Sequence, residues 1–189
     1  VQSWGVRSPC FGQFRPLHII AERRKVKLNI KKVSFRDINR ISPLIAKFRA
    51  ELQGLRAAEA DEDIESAREE FAKYIDNSYP IFAYKEGSEF LGYLVCRIDH
   101  EVVWVESLYV LKEHRRRGIA SKLFKDAEEL AVSYGNETLY NNVHPNNNGM
   151  IEFLSKKGYN VLNLIEIRKK RKDDVISEQI QIRDNIFDY

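Results

Sequence analysis

The chain has 189 residues, 43% hydrophobic and 31% charged, with a formal net charge of +3, the profile of one modest globular domain with enough apolar content for a core. No run of about 18 apolar residues occurs, so a membrane-spanning helix is not expected. The small net charge gives no argument for nucleic acid, and cysteines at 10 and 96 with four scattered histidines match no metal or redox spacing.

The first 25 residues carry Gly, Pro and isolated aromatics without period and read as an irregular extension lacking a signal-peptide core. With two distant cysteines, this makes a cytoplasmic location the expectation. From Val26 the pattern becomes domain-like: Val26, Leu28 and Ile30 alternate with polar residues as in a half-buried strand. A helix follows from near Asp37, with Ile38, Ile41, Leu44, Ile45 and Phe48 at helical steps and Pro43 as its irregularity. Ala67, Phe71 and Ile75 mark a second helix over residues 64–76.

Three strands then form a meander, at 81–85, 90–98 and 102–110, separated by the turns Glu86-Gly87-Ser88 and Asp99-His100. The third strand, VVWVESLYV, runs through Leu111 to His114 into Arg115-Arg116-Arg117-Gly118-Ile119-Ala120. A long helix follows, with Ile119, Leu123, Phe124, Ala127, Leu130, Ala131 and Tyr134 on one stripe. A basic, glycine-bearing loop at a helix start holds anions, because the first helical N–H groups lack acceptors and the macrodipole is positive there. A strand at 138–143, a helix at 147–157 and a strand at 159–168 complete the domain, read as 26–168. The tail at 169–189 opens with KKRKDD, a solvated basic run without the interleaved aromatics of a nucleic-acid platform.

Neither G-x-x-x-x-G-K-[ST] nor G-x-G-x-x-G occurs, which argues against nucleotide hydrolysis and dinucleotide redox chemistry. RRRGIA resembles instead the R/Q-x-x-G-x-G/A motif of the GNAT superfamily of acyl-CoA-dependent N-acyltransferases. The preceding Leu108-Tyr109-Val110 resembles the family's L-x-V strand end, and NNGMIEFLSKKGY at 147–159 its second signature. The resemblance implies an α+β fold, a mixed and largely antiparallel sheet with helices on both faces. It implies an acetyltransferase that moves an acetyl group from acetyl-CoA to a primary amine by direct attack, with no metal. A non-catalytic acyl-CoA-binding or regulatory domain is the alternative.

On this resemblance Leu108, Tyr109 and Val110 serve the pantetheine arm and the oxyanion through their backbone, where the strand pair splays. Arg115, Arg116, Arg117, Gly118, Ile119, Ala120 and Ser121 wrap the pyrophosphate, and Asn147 contacts the pantetheine arm, although an Asn cluster after Pro145 also reads as a helix N-cap. Glu106 is the candidate general base, since its apolar strand predicts desolvation that favours proton uptake; an arginine partner or a solvent-facing position is the competing reading. Leu154 stands where the family often has a tyrosine that protonates the thiolate, so that acid is not carried over. The acidic stretch at 57–70 between the first two helices suits a cationic acceptor such as a polyamine, a small amine or a peptide amine, and reads equally as a solvated surface. A homodimer is compatible with the sequence.

Overall fold

The computed structural model describes residues 30–55, 61–172, 174–176 and 178–189. The N-terminal extension and the start of the first predicted strand, Val26 and Leu28 included, lie outside them. The chain divides into two compact units, Val1–Asn146 and Asn147–Tyr189.

The first unit is built on a five-stranded sheet in sequence order: β1 (Ile30–Lys32), β2 (Ile81–Glu86), β3 (Glu89–Asp99), β4 (Val102–Val110) and β5 (Tyr140–Asn141). The first four pair antiparallel, and β5 runs parallel to β4. Two helices precede the meander, α1 (Ile38–Gly54) and α2 (Ile64–Asp76), and α3 (Ile119–Ser133) follows it. Alternation along the strands gives the sheet two apolar faces. Ile81, Ala83, Tyr93, Val95 and Tyr109 join Ile41, Leu44, Ile45, Ala67 and Phe71 of α1 and α2 in one buried cluster. The opposite face takes α3, whose Lys122 ammonium lies 5.1 Å from the Tyr84 ring. Leu123 and Phe124 are fully buried there, each contributing about 1.5–3 kcal/mol. Tyr134 caps α3 from outside the stripe, 42% exposed. No helix among the described residues is long and apolar enough to cross a membrane.

Local chemistry explains the helix starts. Ser34 and Asp37 form a capping box around a short 3-10 turn that leads into α1, and Asp63 Oδ1 accepts from the Ser66 N–H, 2.9 Å, to start α2. Pro43 lies in the second turn of α1, where it costs one backbone hydrogen bond.

The second unit contains α4 (Asn148–Lys156) and a hairpin of β6 (Gln179–Ile182) and β7 (Asn185–Asp188). Here the sequence expectation fails, because 159–168 forms no strand. Val161, Leu162, Leu164 and Ile167 are 67–88% exposed. A period of two tells which face a strand would show, while a strand also needs an edge to bond, and these residues bond none. The pairing appears further along, where Gln179–Asp188 closes on itself through Arg183, at φ 54°. The strand expected at 138–143 is likewise reduced to Tyr140–Asn141.

Candidate active site

The end of β4 is the most open part of the sheet. Val95 pairs with Ser107 and Cys96 with Val105, so Glu106 is the extra residue of a bulge. Beside it, β5 pairs with β4 only at Trp104–Tyr140 and Val105–Asn141. From Glu106 to Val110, β4 is therefore bonded to β3 on one edge and has no strand on the other among the described residues. Asn141 Oδ1, at the mouth of this gap, is buried without a partner among the described residues.

The bulge also decides where Glu106 sits. It lets β4 bury Val103 and Val105 on the α3 side and Ser107 and Tyr109 on the α1 side, and Glu106 stays on the surface at the switch. Its Oε2 lies 3.4 Å from Arg97 Nε, and Arg97 also pairs with Asp99 at 3.2 Å and stacks on Trp104. Of the two positions open to Glu106 in the sequence, the arginine-paired surface one is found: its side chain is 36% exposed, beside Arg97.

Past Val110 the chain makes a 3-10 turn over Lys112–His114 and reaches α3 through Arg116 (φ 62°) and Gly118 (φ 77°). A Cβ on Gly118 would meet nothing within 4 Å, so the left-handed backbone, rather than space, asks for glycine. Gly118 offers no capping side chain, and Lys122 N–H is the first to reach back, to the Gly118 carbonyl at 3.1 Å. The N–H groups of Ile119, Ala120 and Ser121 thus have no intrahelical acceptor and point with the positive end of α3 toward the loop. Ile119 is a core side chain, 2% exposed, and can serve a ligand only through its backbone.

Arg115 and Arg117 are engaged by the protein itself. Arg115 Nε donates to the Val110 carbonyl at 2.9 Å, and its Nη2 reaches Glu51 Oε1 and Oε2 at 3.0 and 2.7 Å. Arg117 pairs with Glu86 at 2.8 Å and touches His114 Nδ1 at 2.6 Å. Arg116 is exposed. Glu51 and Glu86 lie 64 and 31 residues from their arginines, separations that carry no local pattern.

Glu51 also lines a pocket of about 490 Å³ with Lys47, Gly54, Glu62, Tyr109 and Lys112. The pocket is formed by the last turns of α1, the approach to α2 and the end of β4. Tyr109 Oη donates to Glu51 Oε1 at 3.0 Å; burial, then this hydrogen bond, raises the phenol well above its usual value. Of the acidic stretch at 57–70, residues 57–60 lie outside the described residues. Glu62 faces the pocket, 3.5 Å from Lys47, Asp63 caps α2, and Glu70 is held by Arg49 Nε at 2.7 Å and by the Tyr74 hydroxyl.

In the second unit, Asn147 is the N-cap of α4, its Oδ1 accepting from Met150 N–H at 3.1 Å. Leu154, 7% exposed, is the buried residue of that helix and offers no proton.

Residues 46–159 match the family model described as the acetyltransferase (GNAT) family. A probable N-acetyltransferase of Drosophila melanogaster, san, is 30% identical over 96 residues, 48% of this chain and 52% of the relative. The chain thus spans about half the length of that relative. Among solved structures, the PaiA N-acetyltransferase of Thermoplasma acidophilum in complex with coenzyme A superposes with a TM-score of 0.59 at 19% identity, over 68% of this chain and 86% of that one. The ribosomal-protein-alanine N-acetyltransferase of Brucella melitensis gives 0.57 at 16% identity, over 75% and 99%. An aminoglycoside 6'-N-acetyltransferase of Acinetobacter haemolyticus gives 0.54 at 18% identity, over 77% and 99%. At these identities the likeness is one of fold.

Proposed function

The chain belongs to the GNAT family of acetyltransferases, and from that premise we propose that it transfers an acetyl group from acetyl-CoA to a primary amine by direct attack through a tetrahedral intermediate. The observation that carries this reading is the continuous path from the unpaired edge of β4, through left-handed Gly118, to the open amides of α3. The amides of Gly118 to Ser121 suit a pyrophosphate, and the helix dipole and the basic loop add to the field. The main chain of Leu108, Tyr109 and Val110 suits the pantetheine amides and the thioester carbonyl, because an edge with free N–H and C=O groups bonds an extended chain as a strand would. Asn141 Oδ1, without a partner among the described residues, adds a further polar group at the gap.

The amine must reach the thioester neutral, and reference values of about 8 for an α-amine and about 10.4 for a lysine call for a base at neutral pH. Glu106 is the proposed base, at the bulge where β4 and β5 part; the Arg97 contact is long and half-exposed, so the carboxylate remains accessible to a water or an amine. No side chain is assigned to protonate the thiolate, which leaves without a dedicated acid or with a proton from water. The acceptor is proposed to enter the pocket between α1 and β4, whose lining carries Glu51, Glu62 and Glu113 beside Lys47 and Lys112.

Release of free thiol from acetyl-CoA, followed with a chromogenic thiol reagent over a panel of polyamines, aminoglycosides and peptides with free N-termini, tests the proposal. Amine-dependent release supports it. Tight acetyl-CoA binding without release for any amine favours the non-catalytic alternative.

A further inference from the structure

The loop that approaches the cofactor site and the pocket that would take the acceptor share one carboxylate, Glu51. It receives the Arg115 guanidinium on both oxygens, the Tyr109 hydroxyl at 3.0 Å and the Lys112 ammonium at 3.6 Å. Arg115 is held twice, since its Nε also bonds the carbonyl of Val110, the last residue of β4, and its guanidinium lies 5.4 Å from the Tyr109 ring. Tyr109 in turn packs against Phe48 and Tyr93 at ring distances of 6.2 and 6.5 Å.

We propose that Glu51 is a positioning residue, which commits Arg115 to the end of β4 beside the acceptor pocket instead of to the pyrophosphate. The inference rests on the acetyltransferase reading above. Three features separate it from a plain structural tie. Attachment of α1 is secured elsewhere, by Ile41, Leu44 and Ile45, all at most 4% exposed, and by the Arg49–Glu70 pair to α2. The Arg115 side chain is 41% exposed and that of Glu51 30%, a setting in which an ion pair adds little to stability. Yet both bonds of Arg115 end on groups that shape the reacting end of the strand, Val110 and, through Glu51, Tyr109. Orientation is where such contacts count, because a displacement near 1 Å at a reacting group costs about a hundredfold in rate.

This divides the labour within RRRGIA: the backbone from Gly118 onward is left for the anion, and the first arginine ties the end of β4 to Glu51 at the pocket. A guanidinium that bonded the pyrophosphate would instead hold the cofactor by charge-assisted hydrogen bonds.

Calorimetric titration with acetyl-CoA distinguishes these roles without an acceptor. Glu51→Gln and Arg115→Gln are expected to bind acetyl-CoA within about threefold of wild type, with melting temperatures within about 4 °C of it. With the best amine of the panel, each is expected to lower kcat about tenfold or more, the double variant no further than the worse single, and Glu51→Asp to recover part of the loss. Arg115→Gln weakening acetyl-CoA binding tenfold or more would overturn the inference, as would multiplicative kcat losses in the double variant. Gly118→Glu is the control for the premise: if that variant still binds acetyl-CoA like wild type, or wild type fails to bind it, the proposed function is what falls.

Discussion

Gly92→Ala places one methyl group against the strand end on which the site depends. A Cβ at Gly92 would lie 2.7 Å from the Tyr109 carbonyl oxygen, 3.1 Å from Val110 Cγ2 and 3.3 Å from Val110 Cα. The nearest neighbour is backbone, in a strand paired in register as Gly92–Val110, so rotating a side chain does not relieve the contact. Ordinary contact begins near 3.4 Å, and β4 must give by about 0.7 Å. Overpacking of this kind costs about 1–3 kcal/mol, and for a chain of this size each kcal/mol moves the melting temperature by about 2–4 °C. The expected fall is therefore about 2–12 °C by differential scanning fluorimetry. The displacement falls on Tyr109 and Val110, so acetyl transfer is expected to drop by about 10–100-fold. Faster hydrogen exchange at the Leu111 amide, which bonds the Leu91 carbonyl at 3.0 Å, would report the same opening. A variant that melts within 1 °C of wild type and transfers acetyl at the same rate would refute the packing argument.

The other perturbations separate backbone, charge and proton effects. At Gly118 the space is open and the backbone is left-handed, so Gly118→Ala should cost about 1–2 kcal/mol and keep acetyl-CoA binding, whereas Gly118→Glu should abolish binding by bulk and like charge; equal titrations for the two would count against the loop as the anion site. Glu106→Gln should leave the melting temperature almost unchanged, since the Arg97 pair is half-exposed, and lower the rate by about a hundredfold below the pKa of the amine; an unchanged pH–rate profile removes Glu106 as base. Burial pushes the Asp37 carboxyl up, but the Lys31 ammonium at 2.6 Å and the Ser34 N–H outweigh it and hold the group below its ordinary 3.8. Its stabilisation is therefore complete above the unfolded-state value and is lost as pH falls through the lower folded one. Asp37→Asn should cost about 1–2 kcal/mol at neutral pH, the gap to wild type closing in thermal melts as pH falls below 3.8, and a gap that widens there contradicts the assignment.

What the sequence made legible was local. The helix at 64–76, the three meander strands and the strand-loop-helix unit around RRRGIA each carry their period and their capping or turn residues within a few positions, and the structure forms them there. Chemistry that depends on partners distant in sequence was not legible. Nothing near Glu106 announces Arg97 across the sheet, and nothing near Arg115 announces Glu51 on α1, so VVWVESLYV left a desolvated carboxylate and an arginine-paired one equally open, where a bulge puts a surface ion pair. The failure at 159–168 has the same origin. Alternation is a property of one strand, and a sheet is a property of two.

The turn from β4 into α3 is proposed to hold acetyl-CoA. Titration of acetyl-CoA into the full chain, with residue-resolved hydrogen exchange in the free and bound states, tests it most directly. One acetyl-CoA is expected to bind per chain, with slowed exchange at the amides of Gly118, Ile119, Ala120 and Ser121 and at the free edge of β4 from Glu106 to Val110. Binding that leaves those amides unprotected, or no binding at all, would contradict it.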